Sequence, residues 1–456
     1  MKSKVSSSQQ SSFLMPGLAE QCDPRQSLKQ LADAIPWNTF EDAFASLYSK
    51  TGRPAKPIRL MVGLLLLKQL ENVSDEVVVQ RWTQNIYYQY FCGMVEFQWN
   101  LPCDPTDLVY FRDRIGEEGV HLILSVTANM HDSCSEEEEI VVDTTVQEKN
   151  ITHPTDTKLL IKVIERCWEL RTQHNIKLRR TFQKAVKKHR LNLRWSRHSR
   201  KAKIARKAKR RLRTIAGVLL RELHRKLPEE TIKAHMEDLM IYWRVLLQKR
   251  TDKNKIYSLH EPQVYCVAKG KEHKKYEFGS KASVGITAES GVIVSAVSHP
   301  KNIYDGHTLP EVLELAEAIM GQRPKVAIAD RGYRGVDEIN GTTILTPKPA
   351  DKDATTAEKE KMRHRFRRRS AVEAVIGHLK KDFRMMRCYL KGTIGDQINL
   401  LLAASAWNLK KWVNTLSFFR IWELMARSIK ANDGTILLFS LTQSLLIDMR
   451  INDRWD

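Results

Sequence analysis

The 456-residue sequence predicts a mixed α/β core that follows an all-α N-terminal domain and is interrupted by a basic helical insertion. Three observations carry that prediction. Two short apolar runs, residues 140–142 and 326–329, each lead into an aspartate, Asp143 and Asp330. A buried strand ends in a carboxylate when its tip is wet, paired or holding a cation. Residues 39–130 carry helical periodicity throughout. Residues 177–213 hold eighteen Lys and Arg and no Asp or Glu, interleaved with Phe182, Leu191, Trp195 and Ile204, as a charged helix rather than a tail would.

Composition narrows the partner. Lys and Arg outnumber Asp and Glu by 75 to 53, a net charge of +22, so the expected ligand is a polyanion, nucleic acid before membrane surface. The seven cysteines form no CxxC pair and are odd in number, which suits a reducing cytosol and argues against a zinc ribbon or disulfide scaffold. Residues 1–12 are Ser/Gln-rich without the apolar core of a signal peptide. The longest apolar runs, 60–67 and 436–439, fall short of the roughly 20 residues a bilayer span needs. The expectation is a cytoplasmic, nucleoid-associated protein with no membrane partner.

The chain divides into a flexible arm over 1–38, a helical domain over 39–132, an α/β domain over 133–413 with the insertion at about 154–250, and a tail over 414–456 without an assigned role. In the helical domain Leu60, Leu64, Leu67 and Leu70 share one face. Ser74 before Asp75 and Glu76 opens a helix, and Asp104 before Pro105 opens another. A plain bundle is the reading, with a helix-turn-helix as its alternative. The acidic run 136–139 reads as a solvated face. Two helices, 215–227 and 231–248, close the insertion. Period-two strands follow at 263–268, 276–286 and 292–298, the last two a hairpin around Glu289-Ser290-Gly291. Thr308 to Glu311 is a capping box for a helix ending at 320. The Asp330 strand, a short strand at 343–346 and helices at 357–390 and 400–413 complete the order. Without the insertion that order is strand, strand, strand, helix, strand, strand, helix, which matches a ribonuclease-H-like α/β fold. There the first strand and the strand after the first helix are neighbours, so Asp143 and Asp330 would meet.

Glu373 is the third candidate carboxylate. On a helix, Arg369, Glu373, Gly377 and Lys380 form one stripe beside the apolar stripe Val372, Ile376, Leu379 and Phe383. Glu373 then lies at the border of core and cleft, with a glycine where a phosphate backbone can approach. A surface ion pair between Arg369 and Glu373 fits the same spacing. Two Asp and one Glu suit hard divalent cations, here two Mg²⁺ with Mn²⁺ as substitute, which clamp the attacking and leaving oxygens of an in-line phosphoryl transfer. Lys380 and Arg369 would hold the phosphates. Arg331 and Tyr333 flank Asp330 and suit either contact with scissile DNA or a structural turn. Asp305, His307 and His299 fit ligand roles less well than loop and capping duties.

At these residues a family resemblance emerges. Ile140-Val-Val-Asp-Thr-Thr, Tyr276-Glu-Phe-Gly-Ser-Lys, Ala329-Asp-Arg-Gly-Tyr-Arg-Gly and Arg369-x3-Glu373-x6-Lys380 together resemble bacterial DDE transposases of the insertion-sequence-five group, over roughly residues 39–413. The resemblance implies Asp143, Asp330 and Glu373 as a metal-binding catalytic triad, and Arg369 and Lys380 as contacts to the transposon end. It implies activity on terminal inverted repeats. The related signature has Tyr three residues before the Arg; here Phe366 keeps a stacking face without the hydroxyl.

The expected activity is therefore Mg²⁺-dependent strand cleavage at inverted repeats and strand transfer into target DNA, by a protein at least dimeric when two ends are synapsed. Arg206, Lys207, Lys209 and Arg210 in the insertion are expected to contact DNA phosphates. The alternatives are a non-catalytic DNA-binding descendant and a nuclease that cuts without joining.

Overall fold

The computed structural model describes residues 16–430, apart from 50, 52–53, 250, 269–274 and 348–354. The turn at Asn432-Asp433-Gly434 and the apolar run 436–447 lie outside the described residues.

Among the described residues, seven helices build the N-terminal domain: α1 (Leu18–Gln21), α2 (Ser27–Ala34), α3 (Trp37–Ala45), α4 (Ile58–Leu70), α5 (Asp75–Trp82), α6 (Ile86–Phe91) and α7 (Pro105–Asn129). The expected flexible arm is corrected from residue 18 on: α1 and α2 fall within it, and Leu18, Leu31 and Ile35 are buried. Both capping signals form as expected. The Ser74 hydroxyl accepts from the Val77 amide at 3.3 Å, and Asp104 and Asp107 make a reciprocal box around Pro105. The stripe on α4 proves too narrow an expectation. Met61, Val62, Leu65 and Leu66 are buried along with Leu60, Leu64 and Leu67, because α3, α5 and α7 surround α4. At its end Lys68 and Arg112 both pair with Asp75, at 2.9 and 2.8 Å, so no buried charge is left alone.

After the short helix α8 (Ser133–Glu136) comes β1 (Glu139–Lys149). The strand expected to stop at Asp143 runs six residues further, because its polar second half stays laddered to another long strand through Thr144–Ser283 to Glu148–Gly279. The acidic run is no bare face. Glu137 accepts the amides of Glu289 and Ser290 at 2.7 and 2.9 Å, Glu138 pairs with Lys325, and Glu139 pairs with Arg365.

The insertion comprises α9 (Asp156–Gln173), α10 (Gln183–Asn192), α11 (Ala202–Lys226), α12 (Glu229–Ala234) and α13 (Met236–Leu247). It has its own core, in which Leu160, Ile164 and Cys167 of α9 meet Leu212, Leu219 and Leu223 of α11, with Leu239 and Val245 of α13. That second core allows so basic a segment to fold: α11 buries one apolar stripe and gives its Lys and Arg side chains to solvent.

The chain returns through β2 (Tyr265–Ala268), β3 (Tyr276–Thr287) and β4 (Ile293–His299), crosses by α14 (Leu309–Met320) to β5 (Val326–Ile328), and adds β6 (Glu338–Ile339) and β7 (Thr342–Leu345). The sheet runs β2-β3-β1-β5-β7-β6, with β4 paired to β3 and β8 (Arg387–Cys388) paired to β1. Pairing is antiparallel among β2, β3, β4 and β1, and parallel from β1 to β5 and from β5 to β7. The capping box before α14 does not form. A 3₁₀ turn, Asp305–Thr308, already sets Thr308 in helical geometry, and its hydroxyl donates to the Asp305 carbonyl at 2.7 Å.

α15 (Thr356–Lys381) lays Val372, Val375, Ile376 and Leu379 onto β1, β3 and β5. α16 (Gly392–Lys430) is longer at both ends than expected and packs on β4, α7 and α4, joining the sheet to the N-terminal domain. Its Asn408 completes an edge of β4, accepting from the Ile293 amide at 2.8 Å and donating to the Ile293 carbonyl at 2.9 Å. Among the described residues no helix is long and apolar enough to cross a membrane.

Candidate active site

The parallel ladder of β1 and β5 pairs Glu139, Ile140 and Val141 with Val326, Ala327 and Ile328. The same register extended two residues sets Asp143 across from Asp330, just where β1 loses its partner on that side. Each carboxylate is held by local backbone. The Asp143 carboxylate accepts the Thr144 amide at 2.7 Å. Asp330 caps the 3₁₀ turn Arg331–Tyr333 and accepts the Gly332 amide at 2.7 Å.

Burial pushes the Asp143 carboxyl up to about 6. The Thr144 amide opposes the rise, Asp330 and Glu373 add to it, and Arg369 opposes it. Asp143 thus lies within the electrostatic reach of both other candidate carboxylates, which come from separate elements. Glu373, however, is more than half exposed, and its Oε1 stands 3.1 Å from Nη2 of Arg369. The surface pair that fitted the spacing is formed. Among the described residues, no group of three or more His, Cys, Asp or Glu side chains stands ready to hold a metal ion. Asp143, Asp330 and Glu373 offer only carboxylate oxygens, the donor type that a hard divalent cation takes.

The structure brings a fourth carboxylate to this place. Asp305 accepts from the Thr144 hydroxyl at 2.8 Å and pairs with Lys281 of β3, whose Nζ lies 2.5 Å away. The loop role expected for Asp305 is therefore only part of its position. Lys281 closes the Tyr276-Glu-Phe-Gly-Ser-Lys motif on β3. Its signal was a lysine among small and apolar residues in a buried strand, where a charge requires a partner. His307 is exposed against the Tyr304 ring. His299 is buried 2.8 Å from the Ser283 hydroxyl, and burial pushes its pKa down to about 4, so it is a neutral core histidine.

The flanking residues separate. Arg331 is exposed beside Asp330, but Tyr333 is fully buried, which corrects the expectation that it touches DNA. Its ring belongs to the main hydrophobic core. On α15, Arg369 and Lys380 are half-buried, Phe366 packs on the main core, and a Cβ on Gly377 would meet nothing within 4 Å. Arg206, Lys207, Lys209 and Arg210 are all exposed on α11, on the side away from Ala205, Ala208 and Leu212.

Two family models match. Residues 17–114 match a transposase domain (DUF772), and residues 255–409 match a transposase DDE domain. An uncharacterized protein, ORF8 in the nfe locus of Rhizobium meliloti, is 40% identical over 183 residues, which is 39% of this chain and 88% of that protein. No solved structure matches. The DDE match spans Asp330 and Glu373, while Asp143 lies outside both matched stretches and is joined to them by strand register. With a transposase domain at each end of the fold, the chain belongs to the bacterial DDE transposases.

Proposed function

We propose that this transposase, of the insertion-sequence-five group, binds the terminal inverted repeats of its element, cuts one strand at each end and joins the freed end to target DNA. The observation that supports the reading is a parallel register of β1 and β5 that ends two residues before both Asp143 and Asp330, with Glu373 near enough to influence the Asp143 carboxyl. The sheet order β4-β3-β1-β5-β7, antiparallel then parallel, supports a ribonuclease-H-like core.

Asp143, Asp330 and Glu373 are the residues that would hold divalent cations, Mg²⁺ in the cell. Bound there, such ions would supply activation of a water or hydroxyl nucleophile and charge stabilisation of the departing oxygen. Arg369 and Lys380 place the scissile phosphate, and Gly377 leaves room for the backbone. In cleavage, water attacks phosphorus and the 3′-oxygen leaves as a hydroxyl. In joining, that 3′-hydroxyl attacks a target phosphodiester and a new 3′-hydroxyl leaves. The exposed cations of α11 hold duplex phosphates without reading sequence. Two copies, one at each end, make the synaptic assembly.

The test is cleavage and strand transfer on an inverted-repeat duplex with Mg²⁺, comparing wild type with Asp143→Asn, Asp330→Asn and Glu373→Gln. Each variant is expected to bind the duplex and leave it uncut. Variants that cut as well as wild type would remove the assignment. Wild-type binding without cutting would favour a non-catalytic descendant, and cutting without joined products a nuclease.

A further inference from the structure

We propose that Lys281, Asp305 and Thr144 form a buttress behind the sheet that sets the position of Asp143 relative to Asp330. The inference rests on the reading of those two aspartates as metal ligands. Side chains alternate along a strand, so Thr144 leaves β1 on the face opposite Asp143. On that far face its hydroxyl donates to Asp305 at 2.8 Å, while its amide, on the strand itself, donates to Asp143 at 2.7 Å. One residue therefore joins the two carboxylates through two hydrogen bonds.

The same carboxylate also bears on the second strand. Gly332 supplies the amide that holds Asp330, and a Cβ there would lie 2.8 Å from Oδ1 of Asp330 and 3.0 Å from Oδ2 of Asp305. The turn after β5 is wedged between the two aspartates, and its φ is negative, so lack of room rather than backbone conformation favours glycine here. Asp305 thus touches the holder of Asp143 on one side and the holder of Asp330 on the other. The Tyr333 ring is fully buried, and its hydroxyl lies in the field of Asp305, Asp143 and Asp330 together.

Lys281 makes this crowding tolerable. A third carboxylate behind two others would repel both if nothing neutralised it. The Lys281 ammonium lies 2.5 Å from Asp305 and is anchored by donating to the Ile303 carbonyl at 2.7 Å, in the segment just before Asp305. The lysine thereby fixes both the charge and the loop. Asp305 and Lys281 are positioning residues, acting through Thr144 and Gly332 and not through contact with the reacting atoms.

Mn²⁺ binding to the full-length, DNA-free protein tests this, read by electron paramagnetic resonance alongside circular dichroism. Outer partners of metal ligands typically contribute about 10- to 100-fold in affinity. Thr144→Val and Asp305→Asn are each expected to weaken Mn²⁺ binding by about tenfold at unchanged circular dichroism. Thr144→Ser, which keeps the hydroxyl, should bind like wild type. The double variant Thr144→Val/Asp305→Asn should be no weaker than Asp305→Asn alone, since the Thr144 hydroxyl acts through Asp305. Lys281→Met is expected to follow Asp305→Asn; if it fails to fold, the Thr144 series carries the test alone. Wild-type affinity in Thr144→Val, or full additivity in the double, overturns the proposal. Asp143→Asn in parallel separates the two ideas: if it binds Mn²⁺ like wild type, the metal reading fails and the buttress fails with it.

Discussion

Asp143 and Asp330 each lie two residues beyond the last pair, Val141 and Ile328, of one parallel ladder. They lie far apart in sequence and come from strands separated by the whole insertion, a hairpin and α14. Parallel pairing sets the C-terminal end of β5 beside the middle of β1, and it requires a crossover such as α14. The crossover and the site are therefore one arrangement, and the first prediction concerns its cost.

Like charges held together destabilise the fold until a cation enters. The folded Asp143 carboxyl is raised to about 6 from an ordinary 3.8, by burial and then by Asp330 and Glu373, with the Thr144 amide and Arg369 opposing. Between those values the folded protein keeps a proton that the unfolded chain has released. Stability from this group is thus full below the unfolded value and is lost as pH rises through the folded one. In metal-free protein Asp143→Asn should raise stability at pH 8 by on the order of 2 kcal/mol and change little at pH 4. Thermal unfolding at the two pH values checks it. Mn²⁺ affinity of the wild type should fall as pH drops below about 6, because the ion must then displace that proton. A pH-independent affinity would contradict both.

Arg369 poses the second prediction, because it holds Glu373 at 3.1 Å while Asp143 feels both of them. An incoming DNA phosphate would compete for that guanidinium and release the glutamate toward the aspartates. Arg369→Gln is then expected to raise Mn²⁺ affinity of the DNA-free protein by a few fold, since an exposed pair contributes under about 1 kcal/mol. The same change should weaken cleavage through loss of the phosphate contact. Parallel metal-binding and cleavage measurements decide; lower Mn²⁺ affinity would mean that Arg369 supports the site rather than restraining it.

The exposed face of α11 yields the third. Arg206, Lys207, Lys209 and Arg210 point away from the buried Ala205, Ala208 and Leu212 stripe, so their replacement leaves the packing intact. Changing all four to Gln should lower affinity for any duplex and reduce the slope of log affinity against log salt by up to about 3.6, at roughly 0.9 per lost phosphate contact. Fluorescence anisotropy across a salt series measures it. An unchanged slope would place the phosphates elsewhere.

What the sequence made legible follows from which signals are local. The apolar runs before Asp143 and Asp330, the α15 stripe of Val372, Ile376 and Leu379, and the Asp104 cap are local patterns, and the structure keeps them. The second half of β1 was hidden because its residues are polar. Gln147 is buried only by virtue of distant partners, accepting from Asn399 and donating to the Asp396 carbonyl. The role of Asp305 was hidden because Lys281 and Thr144 sit on two other strands. Tyr333 looks like a surface aromatic because a Gly-rich turn usually is a surface, yet its ring joins the main hydrophobic core. The two-residue strands β6 and β8 carry no periodicity to read.

The fourth prediction concerns the end of β1 farthest from Asp330, where the insertion meets the core. Lys149 is buried with Asp396 at 2.8 Å and Glu261 at 3.7 Å, and it donates to the carbonyls of Leu390 and Gly392 at 2.8 and 2.9 Å. Glu261 lies on the segment that returns from the insertion, and Gly392 begins α16, so this one ammonium ties three parts of the chain together. Lys149→Met would strand two carboxylates out of water, a loss of about 3–5 kcal/mol when one partner of a buried pair is removed. Burial already raises the Asp396 carboxyl against the opposing pull of Lys149, and removing the lysine would raise it further. The penalty should therefore be largest near neutral pH and smaller in mild acid, where Asp396 can take a proton. Urea unfolding at pH 7.5 and pH 5 reads both limits. Asp396→Asn in the Lys149→Met background should recover part of the loss at pH 7.5 and little at pH 5. A loss equal at both pH values would assign the effect to the lysine's hydrogen bonds to Leu390 and Gly392 rather than to charge.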